Sequence, residues 1–409
     1  MKNVLARFEK VVFLVFLLLI PTQLGKHFWP DWSFVQGLRV DYLSPTFYFL
    51  DAIWFLGFIL VGIKEIRLNK VAWEKTIIFL ILMAVNVVLA QNKWVAMYRW
   101  LRIGQWILTL VYFLRKKIEL KSNLVVAISV WTVIEVFLAL SQIFLGRSVG
   151  GIFYWLGERS FNFNTIGIAQ ISVMGQGLLR AYGTFSHPNS LAGFLLTSLI
   201  LWFILKGKVD SWSKIWWWAI TWLLNFGIII TGSRLVWLLT LLVWMSLVYL
   251  GNKSKKYILG IILILGGLFL GVLAFININY PINRFIGGFD PVDIEKRINL
   301  TGAAFNMIKE KPFLGIGLGN FLVKLPEFEK HNFYFWLQPV HNVFFLLWTE
   351  LGLIGIIVLV WLIKQTIKPK LNIKKIVLLL VILATAMWDH YWITLPQNFW
   401  LLAVVLGFI

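Results

Sequence analysis

Six residues stand where their types and surroundings suit chemistry. His341 and Asn342 open the apolar run "HNVFFLLWTEL". A helix beginning there disfavours an imidazolium and favours a neutral ring, which a general base requires; His341 also reads as a buried histidine that only satisfies an N-terminal amide. Asn342 suits either a helix cap or a donor that orients a substrate hydroxyl. His187 lies in "YGTFSHPNS", where Gly183 and Pro188 mark a turn and Ser186 or Asn189 is placed to cap the next helix. His187 reads equally as a ligand, a base or a structural turn residue.

Arg180 ("LLRAYGTF"), Arg234 ("TGSRLVWLL") and Arg297 ("KRINLTGAAF") sit at the edges of apolar runs. A guanidinium at such an edge must find an anion or carbonyl groups to receive its donors. Several converging on one pocket would cradle a diphosphate, because their planar forks match phosphate oxygens. Each arginine alone also reads as a side chain snorkelling toward headgroups. Arg234 has the least freedom for that, since two apolar runs meet at its turn. Arg99 and Arg102 are three apart on one helix face and read either as additions to the anion site or as snorkelling. Glu135 and Glu350 lie deeper in apolar runs and read as interhelical hydrogen-bonding groups. No histidine pair has helical ligand spacing, and "DPVD" (Asp290, Asp293) is the nearest approach to a paired-aspartate motif, so no metal site is expected.

These residues need elements to hold them, and the composition dictates which kind. The 409 residues are 60% hydrophobic and only 14% charged, against about 25% charged in a typical soluble domain. The apolar stretches are too many and too long for a water-facing fold. With no cysteine, disulfides, thiolate metal sites and thiol nucleophiles are excluded. The first run, "VVFLVFLLLI", lacks a small-residue cleavage site and reads as a retained span.

Spans are expected near 8–24, 45–63, 76–91, 94–114, 123–145, 189–205, 215–231, 234–250, 257–276, 342–363, 375–388 and 397–409, about twelve in all. The expectation is therefore an all-α, single polytopic membrane domain over 1–409. With the N-terminus inside, the inner segments hold 22 Lys/Arg against five acids. Most of the net charge of +20 thus lies on one face in short loops. That is the positive-inside pattern and not a nucleic-acid face. Both termini are then cytoplasmic, and His27, His187, His331, His341 and His390 all fall outside, beside the longer loops 25–44, 146–188 and 277–341. Within 297–310, Ile298, Ala303, Ala304, Met307 and Ile308 have helical spacing, so the long loop is expected to carry a helix along the membrane surface. Gly315, Gly317 and Gly319 alternate in "EKPFLGIGLGNF"; without a following G-K-[ST] they read as a tight, closely packed loop.

Four motifs then occur in order: "RAYGTFSHPN" before a span, "GSR" between two spans, "KPFLGIGLGNF" in the long outer loop, and "HNVFFLLWTELGLIG" opening the next span. Together they resemble the bacterial O-antigen ligase and O-antigen polymerase family. The likeness is good over roughly 150–365 and looser at "DHYWITLPQ". It implies a GT-C-like fold and a metal-independent, inverting glycosyltransferase without cofactor. Such an enzyme moves a glycan from undecaprenyl diphosphate to a lipid, saccharide or protein acceptor at the outer face of the cytoplasmic membrane. By the same resemblance, Arg180, Arg234 and Arg297 bind the diphosphate, and His341 orients or deprotonates the acceptor hydroxyl. Ligase and repeat-unit polymerase share these motifs. A lipid-linked oligosaccharide transporter is the reading from another class; it needs a polar path through both leaflets, whereas here the charges gather on one side.

Overall fold

The structure is a computed structural model that describes residues 2–57, 70–116, 120–173, 176–205, 214–250, 291–329, 337–366 and 372–409. It is mostly helical. The longer helices are α1 (Lys2–Leu18), α2 (Phe49–Gly57), α3 (Lys70–Leu89), α4 (Lys93–Lys116), α5 (Lys121–Leu145) and α6 (Pro188–Leu205). They are followed by α7 (Lys214–Ile230), α8 (Arg234–Leu250), α9 (Pro291–Glu310), α10 (Val343–Thr366), α11 (Ile373–Trp388) and α12 (Pro396–Phe408). Helices occur in the expected apolar segments, but Thr46–Tyr48 in the segment 45–63 is a strand; 58–63 and 257–276 lie outside the described residues, together with His331 and Asp290. Among the described residues, α5, α6 and α10 are long and apolar enough to cross a membrane, and Lys214–Ile230, Arg234–Leu247 and Pro396–Phe408 are shorter apolar helices.

α6 is the central element. It packs on α5, α7, α8, α11 and α12, and nearly all of its side chains are buried, from Leu191 to Leu205. The peripheral helices instead leave large apolar groups outward, such as Ile77, Ile81 and Val88 on α3 and Ile357 and Val360 on α10. That distribution suits a bundle whose solvent is hydrocarbon.

The loops at the end that carries the histidines are folded in detail. Two short antiparallel pairs, Gly25–His27 with Thr46–Tyr48 and Phe34–Val35 with Leu38–Arg39, shape the first loop. Gln36 and Gly37 have φ of 48° and 80°, the left-handed pair that a two-residue hairpin requires. A third pair, Gln170–Val173 with Gln176–Leu179, leads into Arg180. The helix expected within 297–310 is α9. It buries Leu300, Ala303, Ala304 and Met307 against Ile316, Phe321, Val340 and Leu346, and Ile308 is buried as well. Ile298 is exposed instead, because the buried stripe starts at 300 and position 298 falls on the other side of the helix.

α10 was expected as one continuous span, and it is broken. Gly352 has φ 67° and ψ 173° within it. The glycine-rich loop 312–319 fills the break. Ile316 and Gly317 N–H donate to the Thr349 and Glu350 carbonyls (3.0 and 3.0 Å), while Leu353 and Ile354 N–H donate to those of Pro312 and Phe313 (2.9 and 3.1 Å). Interrupted helices persist at membrane depth only where other chain pairs the released backbone groups. Gly315, Gly317 and Gly319 all have positive φ, as a tight loop demands.

Candidate active site

The site is assembled by hydrogen bonds between five separated stretches of chain. Arg180 follows the third strand pair and is 5% exposed. Its Nε donates to the Thr231 carbonyl (2.9 Å) and its Nη2 to Asn189 Oδ1 (2.8 Å). Thr231 belongs to the turn between α7 and α8, where Gly232 has φ 66°. Arg234, half-buried, is the first residue of α8, so Arg180 is bonded to the carbonyl three positions before it. The two expected anion-binding arginines therefore flank one turn.

Asn189, on the first turn of α6, aims its Nδ2 at Asp389 Oδ2 (3.3 Å). Asp389 ends α11, where its N–H donates to the Thr385 carbonyl (3.0 Å) and its Oδ1 accepts the His390 N–H (2.8 Å). The same Oδ1 lies 3.4 Å from His341 Nδ1, near enough for charge though off the line of a hydrogen bond. His341 precedes Asn342, which caps α10: Oδ1 accepts the Phe345 N–H (3.0 Å) and Nδ2 donates to the Met387 carbonyl (3.0 Å). Arg297, on α9, donates from Nη1 to the Trp388 carbonyl (3.0 Å). Residues 387–390 are thus the hub on which Arg180, His341, Asn342 and Arg297 are directly or indirectly fixed.

Electrostatics follow from burial and crowding. His390 is 4% exposed, its Nδ1 is 2.7 Å from Thr394 Oγ1, and its ring centroid is 5.1 Å from that of His341. Burial lowers the His390 imidazole to about 3, reinforced by His341, Arg297 and Lys296 and opposed by Asp389. His187, whose Nδ1 accepts the Asn189 N–H (3.1 Å), is likewise lowered to about 3, first by burial and then by Arg180, His341 and Arg297. Burial alone would raise the Asp389 carboxyl. The contact with His341 and the nearness of the His341, His390 and His187 imidazoles outweigh it and hold the group well below the ordinary carboxylate range. A carboxylate thus faces three imidazoles, each from a different element.

This arrangement can move a proton. With Asp389 at Nδ1, the His341 tautomer that carries its proton there is favoured, which leaves Nε2 to accept one. The carboxylate then stabilises the imidazolium that forms. The helix starts of α6 and α10 meet at the hub through Asn189 and His341, and the turn before α8 is tied to it through Arg180 and the Thr231 carbonyl. Together with Arg180 and Arg234 they favour an anion there.

The other sequence candidates are placed elsewhere or used structurally. Arg102 pairs with Asp51, which joins α4 to α2, and Arg99 donates to the Tyr42 carbonyl (2.6 Å). Neither contacts the Arg180 and Arg234 turn. His27 lies between the Ser44 and Thr46 hydroxyls (2.9 Å each) in the first loop. Glu135 ties α5 to a loop rather than to a helix, receiving the Thr184 N–H and hydroxyl (2.8 Å each). Glu350 accepts the Phe321 N–H (3.3 Å). Asp389 is the residue that sequence reasoning missed. Its signal was the Asp-His pair closing an apolar run on the histidine-bearing side. Sequence spacing also gave no hint that His341, Asp389 and His390 bring one ligand atom each within 4.8 Å of one another, a donor set suited to a transition metal. Within that trio, Asp389 also bonds the His390 N–H and Asn189, and His390 Nδ1 bonds Thr394.

Residues 219–360 match the family model described as O-antigen ligase. No curated protein matches the chain, and no solved structure does.

Proposed function

Because the chain belongs to the O-antigen ligase family through residues 219–360, we propose that it is a membrane glycosyltransferase acting on a lipid-diphosphate-linked glycan. The observation that carries the reading is the His341–Asp389 pair, joined through Asn189 to Arg180 and the Arg234 turn. A base and its orienting carboxylate stand beside a cationic anion site, which are the two things such a transfer needs.

In this mechanism His341 Nε2 takes the proton of the acceptor hydroxyl as its oxygen attacks the anomeric carbon. The bond from that carbon to the diphosphate oxygen breaks on the opposite face, so configuration inverts. The departing undecaprenyl diphosphate gains charge, which Arg180, Arg234 and the start of α8 stabilise. Arg297 and His187 line the approach, and Asn342 holds His341 in place by capping α10. Guanidinium groups supply the positive charge that a divalent ion would otherwise provide, so the reaction runs without metal. The bundle is GT-C-like, lies in the cytoplasmic membrane with both termini inside, and acts at the outer face. The acceptor is a lipid-borne glycan, as for a ligase; a growing repeat-unit chain would make it a polymerase.

The test is a reconstituted assay with an undecaprenyl-diphosphate-linked glycan and chelator, comparing wild type with Arg234→Ala and His341→Ala. Release of lipid diphosphate by wild type, lost by a factor of about 10² or more in each variant, is the expected result. Unchanged release in His341→Ala would reduce His341 to a helix-start residue. Loss of wild-type release on adding chelator would move the His341, Asp389 and His390 trio from proton transfer to metal binding.

A further inference from the structure

Next to the histidine hub is a hollow of about 80 Å³, open to solvent, that the mechanism above does not use. It is smaller than the about 300–1,000 Å³ of a typical small-molecule site, so it suits one end of a ligand and not the whole of it. Among its walls are Tyr42, Tyr98, Arg99, Pro339, Glu350 and Thr394, with aliphatic and aromatic side chains between them.

Two polar groups there have unused capacity. Arg99 is half-buried, and its one hydrogen bond, to the Tyr42 carbonyl, leaves the rest of its planar fork without a protein acceptor among the described residues. The Tyr42 hydroxyl likewise has no hydrogen-bond partner among the described residues. Guanidinium donors and a phenol left unsatisfied at a partly desolvated wall need a ligand rich in hydroxyl groups or water.

The hollow also adjoins the reacting groups. The Tyr42 ring stands edge-on to His390 at 5.7 Å, the Thr394 hydroxyl bonds His390 Nδ1, and Pro339 is two residues from His341. Arg180 reaches the hub through Asn189 on the Oδ2 side of Asp389, whereas His341 and the His390 backbone amide lie on the Oδ1 side. The hub is therefore linked to the anion-binding turn through Asn189 and Arg180, and to the hollow's edge through His390, Tyr42 and Thr394.

We propose that this hollow is the acceptor subsite: it takes the terminal saccharide of the acceptor, whose hydroxyls bond Arg99 and the Tyr42 phenol, and presents one hydroxyl to His341. The tyrosine faces pack the apolar side of the sugar ring. The role as acceptor rests on the transferase reading; saccharide binding at the hollow does not.

Purified full-length protein in nanodiscs, as wild type, Arg99→Gln and Tyr42→Phe, tests it. At saturating donor, both variants are expected to raise the acceptor KM, Arg99→Gln by about tenfold or more for a lost charged hydrogen bond, with donor KM unchanged. A rise confined to donor KM, or no change in either variant, overturns the proposal. Tyr42→Phe removes a single oxygen and carries the test if Arg99→Gln folds poorly. Saturation-transfer NMR uses as probe the oligosaccharides released by mild acid from the producing cell's envelope lipids. A signal with wild type that is lost in Arg99→Gln upholds the hollow even where wild type transfers nothing, an outcome that removes the transferase reading alone. No signal with wild type overturns the hollow as a saccharide site.

Discussion

Asp389 accepts the His390 N–H, faces the His341 ring and receives the Asn189 amide, so its two oxygens serve three elements at once. Asparagine at this position keeps the volume but can place a donor where His341 Nδ1–H needs an acceptor. Asp389→Asn is expected to lower kcat by about 10²–10⁴, the usual share of an oriented general base, with little change in either KM. Steady-state kinetics on the folded variant checks this; an unchanged kcat would leave Asp389 a structural tie. The neighbouring imidazoles give a pH prediction. His187 and His390 are held near 3 in the folded protein, against 6.5 unperturbed. Below about 6.5 the unfolded chain takes up protons that the folded site refuses, so stability is complete above that pH and declines as pH falls toward 3. Melting of the detergent-solubilised protein should therefore drop from pH 7 to pH 5, and His390→Gln should flatten the slope. Arg180, Arg234 and His341 stand out in the sequence as candidates because a polar or charged group at the edge of an apolar run is costly and conspicuous. Asp389 was not, because its meaning depends on partners from 48 to 200 positions away.

At the scale of elements, the same apolar run that made α10 easy to find hid its break. Gly352 sits in "TELGLIG", where hydropathy is continuous and a glycine costs a helix only about 1 kcal/mol. The break is dictated from outside, by loop 312–319 entering with its own N–H and carbonyl groups. Asn86 on α3 fastens the junction: its Nδ2 donates to the Glu350 carbonyl (3.0 Å), and its Oδ1 accepts the Leu318 N–H (2.8 Å) and Trp100 Nε1–H (2.9 Å). The glycine alternation at 315, 317 and 319 was readable as a tight loop, while its docking into a broken helix was not. A Cβ at Gly352 would meet the Phe313 backbone and would sit at φ 67°. Gly352→Ala is therefore expected to cost about 1–3 kcal/mol from strain alone, and more from the clash. Its melting temperature and expression should fall well below those of Gly355→Ala, three residues on, where a Cβ meets only side chains.

For the whole molecule, charge and hydropathy specified more than local motifs did. Each expected span within the described residues holds a helix, although Thr46–Tyr48 is a strand and α1 ends at Leu18, and three of the helices are long and apolar enough to cross a membrane; a run of apolar residues with no water to satisfy its backbone has little choice but to be helical. The pairing of these helices, with α6 at the centre and α4 against α12, was not legible, since every face of such a helix is apolar. The lysine and arginine asymmetry predicts which end faces out, and the histidine hub must lie there if the donor is presented at the outer face. The absence of cysteine makes that directly measurable, because any single introduced thiol is the only one in the chain. Ile166 is fully exposed in the loop 146–188, and Lys10 is exposed on α1. In intact cells stripped of any outer barrier, a membrane-impermeant maleimide should label Ile166→Cys at once and Lys10→Cys only after the membrane is permeabilised. The reverse pattern would invert the bundle and put the hub on the cytoplasmic side. Equal labelling of both thiols in sealed cells would mean that positions 10 and 166 share one side, and at least one crossing between them would have to be withdrawn.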